Sequence, residues 1–192
     1  MNKNVMLIDK IPVPIEGEKN ILELCRKAGI DMPTFCYYSE LSVYGACRMC
    51  MVEDDRGNMH AACSTPPKAG MSVVTNSARL RKYRKNILEL LLANHCRDCT
   101  TCEKSENCRL KELARRFYIE DVRFPNGKTE PQKDESSVSI SIDHSKCILC
   151  GDCVRMCNEV QNVGAIAFIG RGSHMEVGTA FNVPINDTNC VG

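Results

Sequence analysis

The chain has 192 residues and is 43% hydrophobic, which is enough to build apolar cores without a disulfide framework. Its 25 Lys and Arg residues are almost balanced by 24 Asp and Glu residues, so its charge does not indicate a nucleic-acid partner. No apolar run approaches the about 20 residues that cross a bilayer, so we expect no transmembrane segment.

The first 31 residues predict a hairpin followed by a helix. Val5–Ile8 and residues 11–15 have the composition of short strands around a turn. Asn20 is a favourable N-cap, and Gly29 stands where a left-handed residue closes a helix. Cys25 lies inside this helix and outside every metal-ligand spacing, so we expect it to be a small buried hydrophobic residue.

Residues 32–50 carry little helix or strand pattern, which suits backbone that wraps a metal centre. Two strands follow at 49–54 and 58–62, joined by a turn, and a further strand is predicted at 71–74. Together with the preceding hairpin and helix, these elements predict a small α+β domain over residues 1–76.

Two helices are predicted in a second domain, residues 77–124. Ser77 begins the first helix, in which apolar residues recur at helical spacing. We expect its stripe, which includes Leu80 and Leu91, to pack inward and to join the first two domains. The second helix covers residues 109–117.

Residues 125–137 are polar, contain proline and lack periodicity, which predicts a linker. We expect this linker to let a third domain, residues 138–192, move relative to the first two or be positioned by a partner. The alternating stretch 138–142 predicts a strand at the start of the third domain.

Eleven of the fourteen cysteines and one histidine fall into three successive groups with different spacings, and one more cysteine follows the last group. The first group is Cys36, Cys47, Cys50 and Cys63; the second is His95, Cys99, Cys102 and Cys108; the third is Cys147, Cys150, Cys153 and Cys157, followed by Cys190. Each spacing suits a different iron–sulfur centre. A row of redox centres indicates electron transfer.

Disulfides and zinc are the alternative explanations. The start of the chain, Met1–Met6, lacks the apolar core of a secretory signal, so we expect a cytoplasmic protein whose thiols stay reduced. Zinc favours pairs of CxxC motifs that give four ligands per ion, whereas the third group has the bacterial ferredoxin spacing. A binding or scaffold protein stabilised by zinc is the alternative from a different functional class.

The first group has a CxxC pair flanked by one cysteine on each side, which suits the two thiolates per iron of a 2Fe–2S cluster. The stretches 33–36, 45–50 and 62–66 resemble the N-terminal 2Fe–2S domain shared by three classes of protein. These are multi-cluster iron-only hydrogenases, the large iron–sulfur subunit of respiratory complex I and some NAD-linked formate dehydrogenases. The resemblance implies a β-grasp ferredoxin fold.

The second group is similar to the site for a 4Fe–4S cluster, with one histidine and three cysteines, that follows in the same families. Imidazole in place of a thiolate removes a negative charge and should make the cluster easier to reduce, as in Rieske centres. Cys96 creates a competing register in which four cysteines at 96, 99, 102 and 108 would be the ligands. The family precedent favours His95.

The third group resembles half of a two-cluster ferredoxin, in which the fourth cysteine of one run ligates the other cluster. Cys147, Cys150 and Cys153 would bind one 4Fe–4S cluster whose fourth ligand is missing or is Cys190 or Cys157. Alternatively, Cys157 and Cys190 are two ligands of a second, incomplete 4Fe–4S site.

The resemblance covers the whole chain and implies an α+β protein. A β-grasp 2Fe–2S domain is followed by a small helical 4Fe–4S domain and a bacterial-ferredoxin-like segment. The implied function is electron relay in an NAD(P)-linked iron-only hydrogenase, including the electron-bifurcating kind, with no catalytic residue in this chain. The implied partners are a flavin- and iron–sulfur-containing NADH-dehydrogenase-like subunit, a thioredoxin-like 2Fe–2S subunit and ferredoxin. A complex I subunit or a formate dehydrogenase relay is the alternative.

Overall fold

The computed structural model describes residues 4–126 and 133–191. The first region is built on a mixed sheet whose strand order is β2-β1-β5-β3-β4. These strands are β1 (Val5–Ile8), β2 (Ile11–Pro14), β3 (Met51–Asp54), β4 (Met59–Ala61) and β5 (Ser72–Val74). β1 and β5 are parallel, and every other neighbouring pair is antiparallel. Together with one helix, this sheet confirms the predicted α+β, β-grasp arrangement.

That helix, α1 (Ile21–Lys27), begins and ends where the sequence predicts. The Asn20 side chain accepts a hydrogen bond of 2.9 Å from the backbone N–H of Glu23, and Gly29 has a φ of 74°. Cys25 is fully buried, as expected, and burial raises the pKa of its thiol to about 12. The core around it also contains Met6, Ile8, Leu22, Leu24, Val52 and Val73.

The second region contains two helices, α2 (Ala78–Ala93) and α3 (Arg109–Arg116). The Ser77 hydroxyl caps α2 by accepting a hydrogen bond of 3.1 Å from the N–H of Leu80. Leu80 belongs to the apolar core of the first region, as predicted. Further along the same helix, Leu88 is fully buried in a separate apolar cluster of the second region.

Helix α2 therefore contributes to two apolar cores, although its buried face differs in detail from the predicted stripe. Leu91 is only half-buried against the second cluster, and Leu90 is 50% exposed. The fully buried positions include Arg84 and Glu89, two charged residues that a hydrophobic periodicity does not reveal. No helix within residues 4–126 and 133–191 is long and apolar enough to cross a bilayer.

The third region consists of short elements around the last cysteines. Its helical segment is α4 (Asp152–Arg155), which continues as a π-helical turn over Met156–Val160. Two small antiparallel pairs flank it. They are β6 (Lys133–Asp134) with β7 (Ile142–Asp143), and β8 (Ala167–Ile169) with β9 (Glu176–Gly178).

The strand predicted at 138–142 is wrong for most of its length. The strand begins only at Ile142, and Val138 is fully exposed. Its partner β6 is two residues long, so the ladder cannot extend to the earlier apolar residues. Of these, Ile140 is half-buried and lines the cavity of the third cysteine group. Part of the predicted linker, residues 127–132, lies outside the described residues.

The third region packs against the other two. Arg155 and Glu159 bond to Ser42 of the first region. The backbone N–H of Cys96 donates a hydrogen bond of 2.9 Å to the carbonyl of Ser145. These contacts join the third region to the first two, and the expected mobility of the third region stays a prediction. The proposed boundaries at 76, 124 and 137 stay predictions.

Candidate metal centres

The first cysteine group lies in the irregular segment between α1 and β3 and at the end of β4. Three of its four cysteines are buried, and Cys47 is half-buried. The backbone N–H of Cys47 donates to Cys36 Sγ at 3.4 Å, and the N–H of Phe35 donates to Cys47 Sγ at 3.5 Å. Gly45 has a φ of 66°, a left-handed conformation that glycine adopts without strain, and it turns the chain just before Cys47.

The four sulfurs form two pairs. The Cys36 thiol hydrogen-bonds to Cys47, and together with backbone N–H groups this lowers the pKa of Cys47 to about 5. A hydrogen bond from the thiol of Cys63 likewise lowers the pKa of Cys50. Among residues 4–126 and 133–191, no three His, Cys, Asp or Glu side chains converge as ligands of one ion. Two pairs of sulfurs suit a cluster with two irons, each bound by two thiolates.

Three of the four predicted ligands of the second group line a cavity of about 220 Å³ beside the start of α3, and Cys102 does not. His95, Cys99 and Cys108 line this cavity, together with apolar residues of α2 and α3. The backbone N–H of Arg97 donates to His95 Nδ1 at 3.1 Å, which orients the imidazole. Cys102 is half-buried in the turn that precedes Cys108.

Cys108 also caps α3. Its Sγ accepts the N–H of Lys111 at 3.4 Å at the N-terminus of this helix. Cys96, the competing ligand, is exposed, and its Sγ lies 3.9 Å from His95 Nδ1. The geometry thus brings His95 to the cavity with Cys99 and Cys108, whereas Cys96 does not line it.

The third group surrounds a cavity of about 470 Å³ with a largely apolar wall. The cysteines that line it are Cys147, Cys153, Cys157 and Cys190. Backbone N–H groups point at two of these sulfurs, from Leu149 to Cys147 at 3.4 Å and from Ala165 to Cys157 at 3.3 Å. Both candidates for the fourth ligand therefore face the same cavity.

Cys150, the remaining cysteine of this group, lies towards the first region. Burial raises the pKa of its thiol to about 12 and also raises the pKa of Cys153. The charge of Cys150, like that of Cys36, acts on the pKa of Tyr44, which burial raises. Tyr44 thus lies within electrostatic reach of sulfurs from both the first and the third groups.

The donor set fits iron–sulfur clusters. Soft thiolates favour such clusters, and backbone N–H groups directed at Sγ are the hydrogen bonds that tune them. Sequence reasoning found all these sulfurs but missed Arg84 and Arg155, the two buried guanidinium groups that hold the loops in place. A basic residue on a predicted helix gives no signal of burial, because such residues are usually solvated.

Three family descriptions match successive parts of the chain. Residues 5–78 match a 2Fe-2S iron-sulfur cluster binding domain. Residues 84–123 match the NADH-ubiquinone oxidoreductase-G iron-sulfur binding region. Residues 137–190 match the ferredoxin-like domain of NADH-quinone oxidoreductase subunit 3. The chain thus carries a 2Fe–2S domain followed by regions of the 4Fe–4S type.

Curated relatives extend well beyond this chain. The NADP-reducing hydrogenase subunit HndD of Solidesulfovibrio fructosivorans is 37% identical over 99% of this chain and 34% of its own length. The mitochondrial NADH dehydrogenase (ubiquinone) iron-sulfur protein 1 of Solanum tuberosum is 35% identical over 91% of this chain and 24% of its own length. The chain therefore spans about a third or less of these relatives.

A solved structure matches over a larger share of its length. It is the crystal structure of an NAD+-reducing NiFe-hydrogenase in the H2-reduced state. The match has a TM-score of 0.89 and 30% identity and covers 98% of this chain and 80% of that chain. With three family regions in the same order, the chain belongs to the family of G-type iron–sulfur subunits shared by NADH-quinone oxidoreductases and NAD(P)-reducing hydrogenases.

Proposed function

We propose that this chain relays electrons within an NAD(P)-linked hydrogenase and has no catalytic site of its own. The observation that carries the proposal is the succession of three sulfur-lined sites in one chain, with the first and third in direct contact. Electron transfer needs redox centres held at fixed separations. The contacts of Arg155 with the backbone of the first cysteine loop provide such a restraint.

We assign a ligand set to each site. Two pairs, Cys36 with Cys47 and Cys50 with Cys63, hold a 2Fe–2S cluster. One histidine and three cysteines hold the middle 4Fe–4S cluster; they are His95, Cys99, Cys102 and Cys108. The cysteines at 147, 150 and 153 hold another 4Fe–4S cluster, with a fourth ligand from Cys190 or Cys157. Cys147, Cys153, Cys157 and Cys190 line one cavity, which supports one cluster here, whereas the assignment of Cys150 rests on its spacing in the sequence. When bound, these clusters accept and release single electrons.

The hydrogenase assignment rests on the relatives. HndD is a subunit of an NADP-reducing hydrogenase, and the matched solved structure is an NAD+-reducing hydrogenase. We propose that the hydrogenase is of the iron-only, electron-bifurcating kind and that its catalytic cluster lies elsewhere in the complex. The proposed partners are a flavin-bearing NADH-dehydrogenase-like subunit, a thioredoxin-like 2Fe–2S subunit and ferredoxin. The proposed compartment is the cytoplasm.

Relay in a complex I subunit is the second candidate. Identities of 35% and 34% to mitochondrial NADH dehydrogenase subunits, close to the 37% of HndD, favour it as a specific alternative. Hydrogen-dependent reduction of NAD or NADP by the natural complex decides between them. Copurification with a quinone-reducing complex that lacks this activity would overturn the hydrogenase assignment.

The relay itself is tested on the chain alone. Anaerobic purification with iron and acid-labile sulfide assays should give iron and sulfide in near-equal amounts. EPR of the dithionite-reduced protein should show one 2Fe–2S signal and at least two 4Fe–4S signals. Zinc without sulfide would instead establish the scaffold alternative. Exchange of Cys25, which is buried outside every group, for alanine is the matched control and should leave the iron content unchanged.

A further inference from the structure

The loop of the first cysteine group contacts α4 of the third group through one buried side chain. Arg155, on α4, is only 7% exposed. Its Nη2 donates to the carbonyl of Cys36 at 3.0 Å, and its Nη1 donates to the carbonyl of Ser42. Cys36 is an assigned ligand of the first site, and Arg155 lies between Cys153 and Cys157 of the third. The side chain of one residue in the third group therefore holds the backbone of the first cysteine loop.

Further contacts fix the same interface. The Glu159 carboxylate accepts the backbone N–H of Ser42 at 2.8 Å and also the Ser42 hydroxyl. The rings of Tyr44 and Phe168 stack with centroids 5.5 Å apart and an interplanar angle of 11°. The guanidinium of Arg155 lies 5.6 Å from the centroid of the Tyr44 ring.

The close approach requires a glycine. Gly151 has a φ of 74°, and a Cβ added there would lie 2.9 Å from Phe168 Cζ and 3.1 Å from Tyr44 Cε1. A larger residue at this position would push the aromatic pair apart or displace the loop. The surfaces therefore meet with backbone and rings in contact, which leaves little room for relative movement.

Arg155 also places a positive charge against the backbone of the first cysteine loop, at the carbonyl of Cys36. Its partner Asp152 accepts from Nη2 at 2.6 Å, but the Asp152 side chain is 24% exposed and that of Arg155 only 9%. Water screens the more exposed carboxylate more than the guanidinium, so Asp152 offsets only part of the positive charge of Arg155. A positive field stabilises the extra electron of a reduced cluster and raises its reduction potential.

We propose that Arg155 is a positioning residue that fixes the separation of the first and third centres and raises the reduction potential of the first. Its planar fork suits this role because it reaches two carbonyls at once. Lysine offers a point charge without the fork. The two parts of the proposal, geometry and charge, are therefore separable by substitution.

The test uses the full chain, reconstituted anaerobically and reduced, with EPR and a potentiometric titration of each variant. Magnetic coupling between two reduced centres falls steeply with distance, so it reports their separation. Arg155→Gln should weaken this coupling and lower the potential of the 2Fe–2S signal. Arg155→Lys should weaken the coupling with a smaller fall in potential.

Glu159→Gln separates the effect on magnetic coupling from the effect on reduction potential, because it removes a negative rather than a positive charge. It removes the carboxylate that accepts from Ser42, so coupling should weaken, but it also removes a negative charge, so the potential should not fall. Arg171→Gln, which removes an exposed arginine of the third region, is the matched charge control and should change neither quantity.

The inference rests on the proposed clusters, and the two can fail separately. If the unaltered chain shows no 2Fe–2S and 4Fe–4S signals, the proposed function fails. If it shows them and Arg155→Gln retains full iron content with unchanged coupling and potential, the role of Arg155 is overturned. If Arg155→Gln loses its iron, unchanged coupling in both Arg155→Lys and Glu159→Gln overturns it instead.

Discussion

Arg84 of α2 donates a hydrogen bond of 3.0 Å from Nε to the backbone carbonyl of Met49, the residue before Cys50. The same guanidinium donates to the carbonyls of Met51 at 2.7 Å and Thr75 at 2.9 Å. Burial lowers its pKa to about 10, which leaves it charged at neutral pH. A side chain on helix α2 of the second region thus holds the cysteine loop of the first region by hydrogen bonds.

We expect Arg84→Met to destabilise the protein by about 2–4 kcal/mol, because three buried carbonyls lose a charged donor while the apolar volume is largely kept. Urea denaturation of the iron-loaded protein measures the loss, and iron retention in mild denaturant should fall with it. Arg81→Met, an exposed arginine on the same helix, is the control. Equal stability of the two variants would contradict the role of Arg84.

His95, rather than Cys96, is expected to ligate the middle cluster. His95→Ala should remove or convert one 4Fe–4S EPR signal, because His95 faces the cavity with Cys99 and Cys108. Cys96→Ser should leave the spectrum unchanged, because Cys96 does not line that cavity. The opposite pattern would establish the register that uses Cys96.

Cys190 is expected to complete the third site in this chain. It lines the same cavity as Cys147 and Cys153, so Cys190→Ser should lower the iron content by about one 4Fe–4S cluster. The first two EPR signals should persist. Cys157→Ser is measured in parallel, and loss of iron only in that variant would assign the fourth ligand to Cys157.

The buried carboxylate of Glu89 is expected to make stability depend on Arg123. The Glu89 side chain is 1% exposed, and Arg123 Nε donates to it at 2.6 Å and lowers its pKa below the usual 4.5. A carboxyl whose folded-state pKa is lowered stabilises the fold above its unfolded pKa and loses that effect as pH falls through its folded pKa. Arg123→Gln should therefore lower the urea midpoint at pH 7, and the difference should shrink as pH falls below 4.5.

The control for this pair is Arg115→Gln, which removes an exposed arginine of α3. Its midpoint should follow that of the unaltered chain at every pH. A difference between Arg123→Gln and the unaltered chain that stays constant with pH would show that Arg123 acts through packing rather than through Glu89.

Local chemistry made part of this structure predictable. Asn20 and Ser77 predict helix starts, because their side chains accept hydrogen bonds from backbone N–H groups that have no partner within the helix. The sulfur groups are equally visible, since cluster ligation depends on spacing. Arg155 was not predictable, because its partners are carbonyls more than 100 residues away, and no local pattern encodes them. The strand at 138–142 failed for the same reason: its pairing depends on a partner too short to extend it.

Limited proteolysis tests the predicted linker. We expect trypsin to cut the chain near Lys128 or Lys133, of which Lys128 lies outside the described residues. The N-terminal fragment should keep the 2Fe–2S centre and the middle 4Fe–4S centre. Resistance of this stretch, or loss of those centres after cleavage, would contradict the predicted division of the chain.

The bond between the Cys96 N–H and the Ser145 carbonyl, with the contacts of Arg155 and Glu159, joins the third region to both of its neighbours without the covalent chain. The covalent connection between residues 126 and 133 then raises the effective concentration of the third region near the first two. We therefore expect a chain cut within this connection to stay assembled through the contacts of Cys96, Arg155 and Glu159.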